Sequence, residues 1–206
     1  MNEMTKQIGL VVMAAGFGRR YGSNKLLDSF QGKKLYQYTL ELAAGCSADS
    51  IVIVTRFSEI KEHVDTHYPQ IKVIWNEHPE RGISESLKLG LKALGEVDGC
   101  CFMVCDQPLL ERSSLEELLL KFRENPHCIV ACNDGQKRGN PVIFSHAFFD
   151  ELMELSGDQG GRQIIGRNRK KLLEITVSPW ELMDIDCVDD RDKIEYRFKK
   201  NKKYMR

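Results

Sequence analysis

The sequence predicts a doubly wound α/β fold: a mostly parallel sheet, helices on both of its faces, and a short antiparallel edge. Three observations carry this. Short apolar or β-branched runs alternate with helical periodicity through the first two thirds of the chain. The length of 206 residues suits a single domain over 1–206 with a real core. From about Pro141 the rhythm changes, and shorter elements follow one another.

The elements read as follows. Ile8 to Met13 is apolar at every position, as expected of a strand covered on both faces. Ser50 to Thr55, Ile71 to Trp75, Gly99 to Cys105 and His127 to Cys132 continue the series. After Gly82, the residues Ile83, Leu87, Leu91 and Leu94 recur at helical spacing, with Lys88 and Lys92 on another face. Ser113 with Glu116, and Ser114 with Glu117, each offer a capping box before the run Leu118 to Leu120. The late part holds a short apolar run (Val142 to Phe144), two helical segments, and the runs Leu172 to Val177 and Glu181 to Ile185. These insertions are expected to build a pocket or the antiparallel edge. The last ten residues, 197–206, hold six basic side chains and no acidic one, the composition of a solvated, frayed helix end.

Thirty basic residues balance thirty acidic ones, so overall charge favours neither a nucleic-acid nor a membrane partner, and any anion site must be local. The apolar stretch Ile8 to Ala15 is too short for a bilayer span and runs straight into Gly16, Gly18, Arg19 and Arg20. A buried first strand fits it better than a signal peptide. Seven cysteines without any CxxC pair, five of them in strand-like segments, read as buried reduced thiols in a cytoplasmic protein. His63 and His67 are four apart on a helix but lack the HExxH pattern, and they read as an exposed face. Arg56 and Trp75 stand at the ends of two strands, where they could border a ligand.

The first strand ends in Ala14-Ala15-Gly16-Phe17-Gly18-Arg19-Arg20-Tyr21-Gly22, with Lys25 close behind. A glycine-rich turn leaving a buried strand exposes successive N–H groups to a polyphosphate and lets a nucleotide approach the backbone. A P-loop is excluded, because no Gly-Lys-Ser/Thr follows. A dinucleotide loop needs glycine where Tyr21 stands, and a ribose-binding acid where Val54, Thr55 and Arg56 stand. What remains is GxGxRxG followed by lysine, met by Gly16, Gly18, Arg20, Gly22 and Lys25.

This loop resembles that of the nucleotidyltransferase family containing the molybdenum cofactor guanylyl- and cytidylyltransferases. Further motifs follow in the family's order: Gly82-Ile83-Ser84-Glu85-Ser86, Asp106-Gln107-Pro108, Gly139-Asn140-Pro141, Gly157-Asp158-Gln159-Gly160-Gly161-Arg162 and Asp184-Ile185-Asp186. The resemblance implies a Rossmann-like NTP transferase domain. It also implies that Ala14, Ala15, Gly16, Phe17, Gly18, Arg20, Lys25, Gly82 and Ser86 contact the nucleotide, with Arg20, Lys25 and Asp106 catalytic. Asp106 and Asp186 would hold Mg²⁺, with Mn²⁺ as a substitute, since magnesium takes one or two carboxylates together with phosphate oxygens. Asp184, Asp189 and Asp190 are rivals for the second position.

The implied reaction needs little covalent chemistry from the protein. An acceptor phosphate attacks the α-phosphorus in line and pyrophosphate leaves, while Arg20 forks onto phosphate oxygens and Lys25 supplies a point charge. A phosphate monoester is already ionised near neutral pH, so no general base is required. Ala14-Ala15-Gly16 resembles the loop start of the cytidylyl enzymes rather than the Ala-Gly-Gly of the guanylyl ones. The expected substrates are therefore CTP and a molybdopterin-type acceptor, with a molybdoenzyme or its chaperone receiving the product. GMP transfer to the same cofactor, transfer to a sugar phosphate or other phosphorylated small molecule, and a non-catalytic nucleotide-binding chaperone are the alternatives.

Overall fold

Strand β1 (Ile8–Ala14) sets the architecture, because its side chains divide between two cores. Ile8, Leu10, Val12 and Ala14 point into one cluster of buried residues, while Val11 points into the other. A strand of this composition is stable only with cover on both sides. The computed structural model describes residues 6–16, 21 and 24–204.

A two-stranded antiparallel pair, β2 (Ser29–Phe30) with β3 (Lys33–Lys34), precedes helix α1 (Leu35–Gly45). Then β4 (Ser50–Thr55), α2 (Ser58–His67) and β5 (Lys72–Trp75) alternate with α3 (Ile83–Leu94), β6 (Gly99–Val104) and α4 (Arg112–Glu124). The chain continues through β7 (Ile129–Asn133), β8 (Arg138–Ser145), α5 (Phe149–Glu154), α6 (Arg162–Arg167), β9 (Leu172–Thr176) and α7 (Val188–Tyr204). The main sheet runs in the order β5-β4-β1-β6-β8-β7-β9. Helices α1, α2, α4 and α7 cover one face, and α3, α5 and α6 the other.

The doubly wound sheet expected from the sequence is present. Its antiparallel member, β8, is not at an edge: it lies inside the sheet, antiparallel to both β6 and β7. Val142, Ile143 and Phe144 are all buried, because the strand is covered on both faces, Ile143 in one cluster and Val142 and Phe144 in the other. The strand is also longer than its apolar run, since Arg138, Gly139 and Asn140 belong to it. The run from Glu181 to Ile185 forms no strand, although Leu182 and Ile185 are buried.

The expected capping box before Leu118 is absent. Helix α4 starts at Arg112 with Glu111 in the cap position, so Ser113 and Ser114 already lie in its first turn. Glu116 reaches across instead, accepting hydrogen bonds from the Ser47 backbone N–H (3.0 Å) and hydroxyl (2.5 Å). Gly90 lets α3 lie directly on β1, where a Cβ would run into the Val11 side chain. All seven cysteines are free. Among the described residues no helix is long and apolar enough to cross a membrane.

Candidate active site

The order of the main sheet creates a crevice. From β1 the chain passes outward to β4 and β5, then returns to β6 on the other side of β1. Open α/β sheets bind ligands at such a reversal, beyond the carboxyl ends of the strands. Here Ala14-Ala15-Gly16 leaves β1 beside Cys105-Asp106 leaving β6.

Ala14 and Ala15 are buried and Gly16 is exposed. Their carbonyls are tied to the end of β4: the Thr55 hydroxyl donates to Ala14 O (3.2 Å) and Arg56 Nε to Ala15 O (3.2 Å). Arg56 thus borders the loop as a brace, while Trp75 lines neither of the two cavities described below. Phe17, Gly18, Arg20 and Gly22 lie outside the described residues. Lys25 opens a single 3-10 turn, Lys25–Leu27, which is anchored by buried Leu26.

Lys25, Asp106 and Asp186 come together although 161 positions separate the first and last. Lys25 Nζ donates to Asp106 Oδ2 at 2.8 Å and to Asp186 Oδ1 at 3.0 Å. Burial alone would lower the lysine's pKa, but the charges and hydrogen bonds of Asp106 and Asp186 outweigh it and hold the ammonium above its ordinary value. Asp106 Oδ1 is buried and has no hydrogen-bond partner.

Three neighbours fix the two acids relative to one another. Ile185 N–H donates to the Asp106 carbonyl (2.9 Å), and buried Gln107 donates through Nε2 to Asp184 (2.8 Å). Asp190 accepts from the backbone N–H groups of Asp186 (3.3 Å) and Cys187 (3.2 Å), closing the turn into α7. Asp184 and Asp190 therefore brace the segment, and Asp189 is exposed. Of the four late acids, Asp186 is the one bonded to Lys25. Asp184 is solvent-accessible, yet desolvation of its carboxyl, with the like charge of Asp106, pushes it up to about 6.

A cavity of about 340 Å³ is lined by Ala15, Gly16, Lys25, Asp106, Asp186 and Ser86. Gly82 also borders it. Its φ of 84° and its approach to the Gly157 carbonyl leave no space for a Cβ, and Ser84 N–H donates to that carbonyl (3.2 Å). A second cavity of about 920 Å³ adjoins it across Met13 and Ile83, which line both. Phe102, Val142 and Phe144 are among the apolar residues lining it, and Arg138, Arg162 and Arg169 among the cations. Gly139 and Asn140 face the larger cavity and Asp158 the smaller one.

Sequence reasoning missed Asn76, which is buried behind Ser86, and the Met13–Ile83 partition. A lone asparagine after a strand reads as a turn residue; its place at the carboxyl end of β5 was the available signal. His63 and His67 stack at 4.5 Å on α2, with His63 half-buried against Tyr36 and only His67 exposed. Among the described residues no group of three or more His, Cys, Asp or Glu is arranged to hold a metal ion.

Residues 10–172 match the model of the MobA-like NTP transferase domain. The chain is similar to the purine catabolism protein PucB of Bacillus subtilis, at 26% identity over 89% of this chain and 94% of that one. It is also similar to a probable molybdenum cofactor guanylyltransferase of Thermococcus kodakarensis, at 30% identity over 69% of each. Rv0371c of Mycobacterium tuberculosis superposes with a TM-score of 0.82 at 25% identity, covering 94% of this chain and 99% of that one. A second structure of that protein, in complex with manganese, gives 0.77 at 24% identity over 92% and 98%. The matched segment takes in the loop after β1, Asp106 and Arg162, and on this evidence the chain belongs to the MobA-like NTP transferase family.

Proposed function

We propose that this chain transfers CMP from CTP to a molybdopterin-type phosphorylated acceptor and releases pyrophosphate. The observation that carries the reading is Lys25 Nζ bridging Asp106 and Asp186 on the wall of the smaller cavity, beside Ala15, Gly16 and Ser86. A lysine between two acids, just after a glycine-rich sequence, is a poor stability device but a good site for charged phosphates.

The donor set fits a divalent ion. Asp106 Oδ1 lacks a partner, both acids are hard oxygen donors, and a cation already sits between them as the Lys25 ammonium. Asp106 and Asp186 would hold the ion. When bound, it supplies charge neutralisation at the phosphate oxygens. The manganese complex of Rv0371c supports the same reading.

The chain's own groups do the rest. Gly82 and Ser86 border the base, while Gly16, with Arg20 as the sequence implies, receives the triphosphate. Lys25 holds its charge near the α-phosphate as the acceptor oxygen attacks in line and pyrophosphate departs. The larger cavity, lined by Phe102, Val142 and Phe144 and by Arg138, Arg162 and Arg169, with Glu174 paired to Arg138, suits a flat anionic acceptor. Ala15 lines the smaller cavity, where its methyl would limit how closely a base approaches the backbone, and with the Ala14-Ala15-Gly16 start this supports CTP. A second reading, GTP, is favoured by relatives named as guanylyltransferases.

Pyrophosphate release measured with each of four NTPs, with and without molybdopterin, tests the proposal. CTP should be consumed fastest, and only when acceptor is present. Faster consumption of GTP transfers the assignment to the second reading. Consumption of none with any phosphorylated acceptor ends the transferase proposal.

A further inference from the structure

Asn76 stands just past β5 and is 1% exposed. Its backbone N–H and both side-chain polar atoms are committed. The backbone N–H donates to Thr55 O (2.8 Å), Oδ1 accepts from the His78 backbone N–H (2.9 Å), and Nδ2 faces Ser86 Oγ at 3.0 Å. A backbone N–H can only donate, so the orientation of the amide is decided by His78 and not by convention. Nδ2 must then be the donor to Ser86, and the serine oxygen must be the acceptor. The hydroxyl proton is turned away from Asn76, and no acceptor for it occurs among the described residues. Ser86 sits in the first turn of α3, 6% exposed, on the wall of the cavity that also holds Lys25 and Asp106.

We propose that Asn76 is a positioning residue that fixes the Ser86 hydroxyl as a hydrogen-bond donor into this cavity, so that the nucleobase edge meeting it must present an acceptor atom. The inference rests on the reading that this cavity receives the nucleotide. It adds a polarity to the site: a ring N–H brought against Ser86 would leave two donors facing each other in a half-dry pocket, which is how a site rejects a base of the right size. A cytosine N3 or O2, or a guanine O6, satisfies the requirement.

Asn76→Asp reverses the polarity, because a carboxylate accepts from His78 N–H and from Ser86 alike and draws the hydroxyl proton out of the cavity. Nucleotide dissociation constants and steady-state kinetics are compared for wild type, N76D, S86A and N76D/S86A, with inorganic tripolyphosphate as a ligand lacking a base. N76D and S86A should each raise KM and Kd for the preferred NTP roughly five- to tenfold, the scale of one neutral hydrogen bond. In both, kcat should change far less and tripolyphosphate affinity should stay at the wild-type value. The double variant should be no worse than S86A alone, since Asn76 acts through Ser86. Should N76D not melt cooperatively, Asn76→Ser, which is too short to reach Ser86, carries the same expectation. Tight NTP binding by wild type with unchanged KM in N76D and S86A overturns the inference and leaves the nucleotide reading standing. Equal losses for NTP and tripolyphosphate overturn it too, as general damage. If wild type binds no NTP, the nucleotide reading fails and this inference falls with it.

Discussion

Lys25→Met removes the ammonium that Asp106 and Asp186 share and leaves the two carboxylates facing one another. A fully buried ion pair broken on one side costs about 3–5 kcal/mol. Here the three side chains are 12%, 20% and 34% exposed, and solvent screening reduces the cost to about 1–2 kcal/mol. For a chain of this length each kcal/mol moves Tm by about 2–4 °C, so the variant should melt roughly 2–8 °C lower. Mn²⁺ titrated without nucleotide should reverse most of that loss, because it fills the position the ammonium has vacated. Wild type should respond weakly to the same titration, since its own cation competes for both carboxylates. Turnover with Mg²⁺ and NTP should fall about 10²–10³-fold, as for other groups that stabilise transition-state charge. Thermal unfolding followed against Mn²⁺ concentration, paired with pyrophosphate release, reads all three. A K25M variant that melts at the wild-type temperature and shows no greater response to Mn²⁺ would refute the idea that these residues form one cation site.

Other perturbations have separate readouts. Gln107→Leu deletes the 2.8 Å bond to Asp184 from a nearly buried side chain; it should cost about 1 kcal/mol in denaturant unfolding and lower turnover without changing which NTP is preferred. Gly90→Ala gains helix propensity but drives a methyl into Val11, and overpacking of about 1–3 kcal/mol should dominate, seen as a lower urea midpoint. Asp98 accepts the Gln7 N–H at 2.9 Å and pairs with Lys6 at 3.3 Å, which together hold its carboxyl below the ordinary value. Its contribution is present above the unfolded pKa near 4 and lost as pH falls through the lower folded pKa, so the stability gap between wild type and D98N should narrow below about pH 4.

What the sequence disclosed depended on how each residue is used. β1 was readable because every position packs, and Asp106 because it terminates an equally apolar strand. The first half of β8 was hidden for the opposite reason: Arg138, Gly139 and Asn140 line a cavity, so they show neither apolar runs nor alternation. Ser113 and Ser114 satisfied a capping pattern, but the backbone turns into α4 at Glu111, and Glu116 is drawn to Ser47. No local spacing could join Lys25 to Asp186; only the family resemblance anticipated it. Nor could a pattern reveal Asn76, whose significance lies in three hydrogen bonds to groups on three different segments.

Lys25 is bound by both acids, but it is not what holds them in place. Asp106 and Asp186 are held in place without it: the Ile185 N–H reaches the Asp106 carbonyl, Gln107 reaches Asp184, and Asp190 caps the turn that presents Asp186. None of these contacts uses the carboxylate oxygens that face Lys25, and Asp106 Oδ1 is left over. An acid pair fixed through its backbone and neighbours would keep its separation if the ammonium were drawn toward a phosphate, so the proposed cation site does not depend on the lysine. Had the lysine been the clamp holding the acids together, its movement would dissolve the site it serves. The independence of the brace from the bridge therefore makes both roles compatible in one residue.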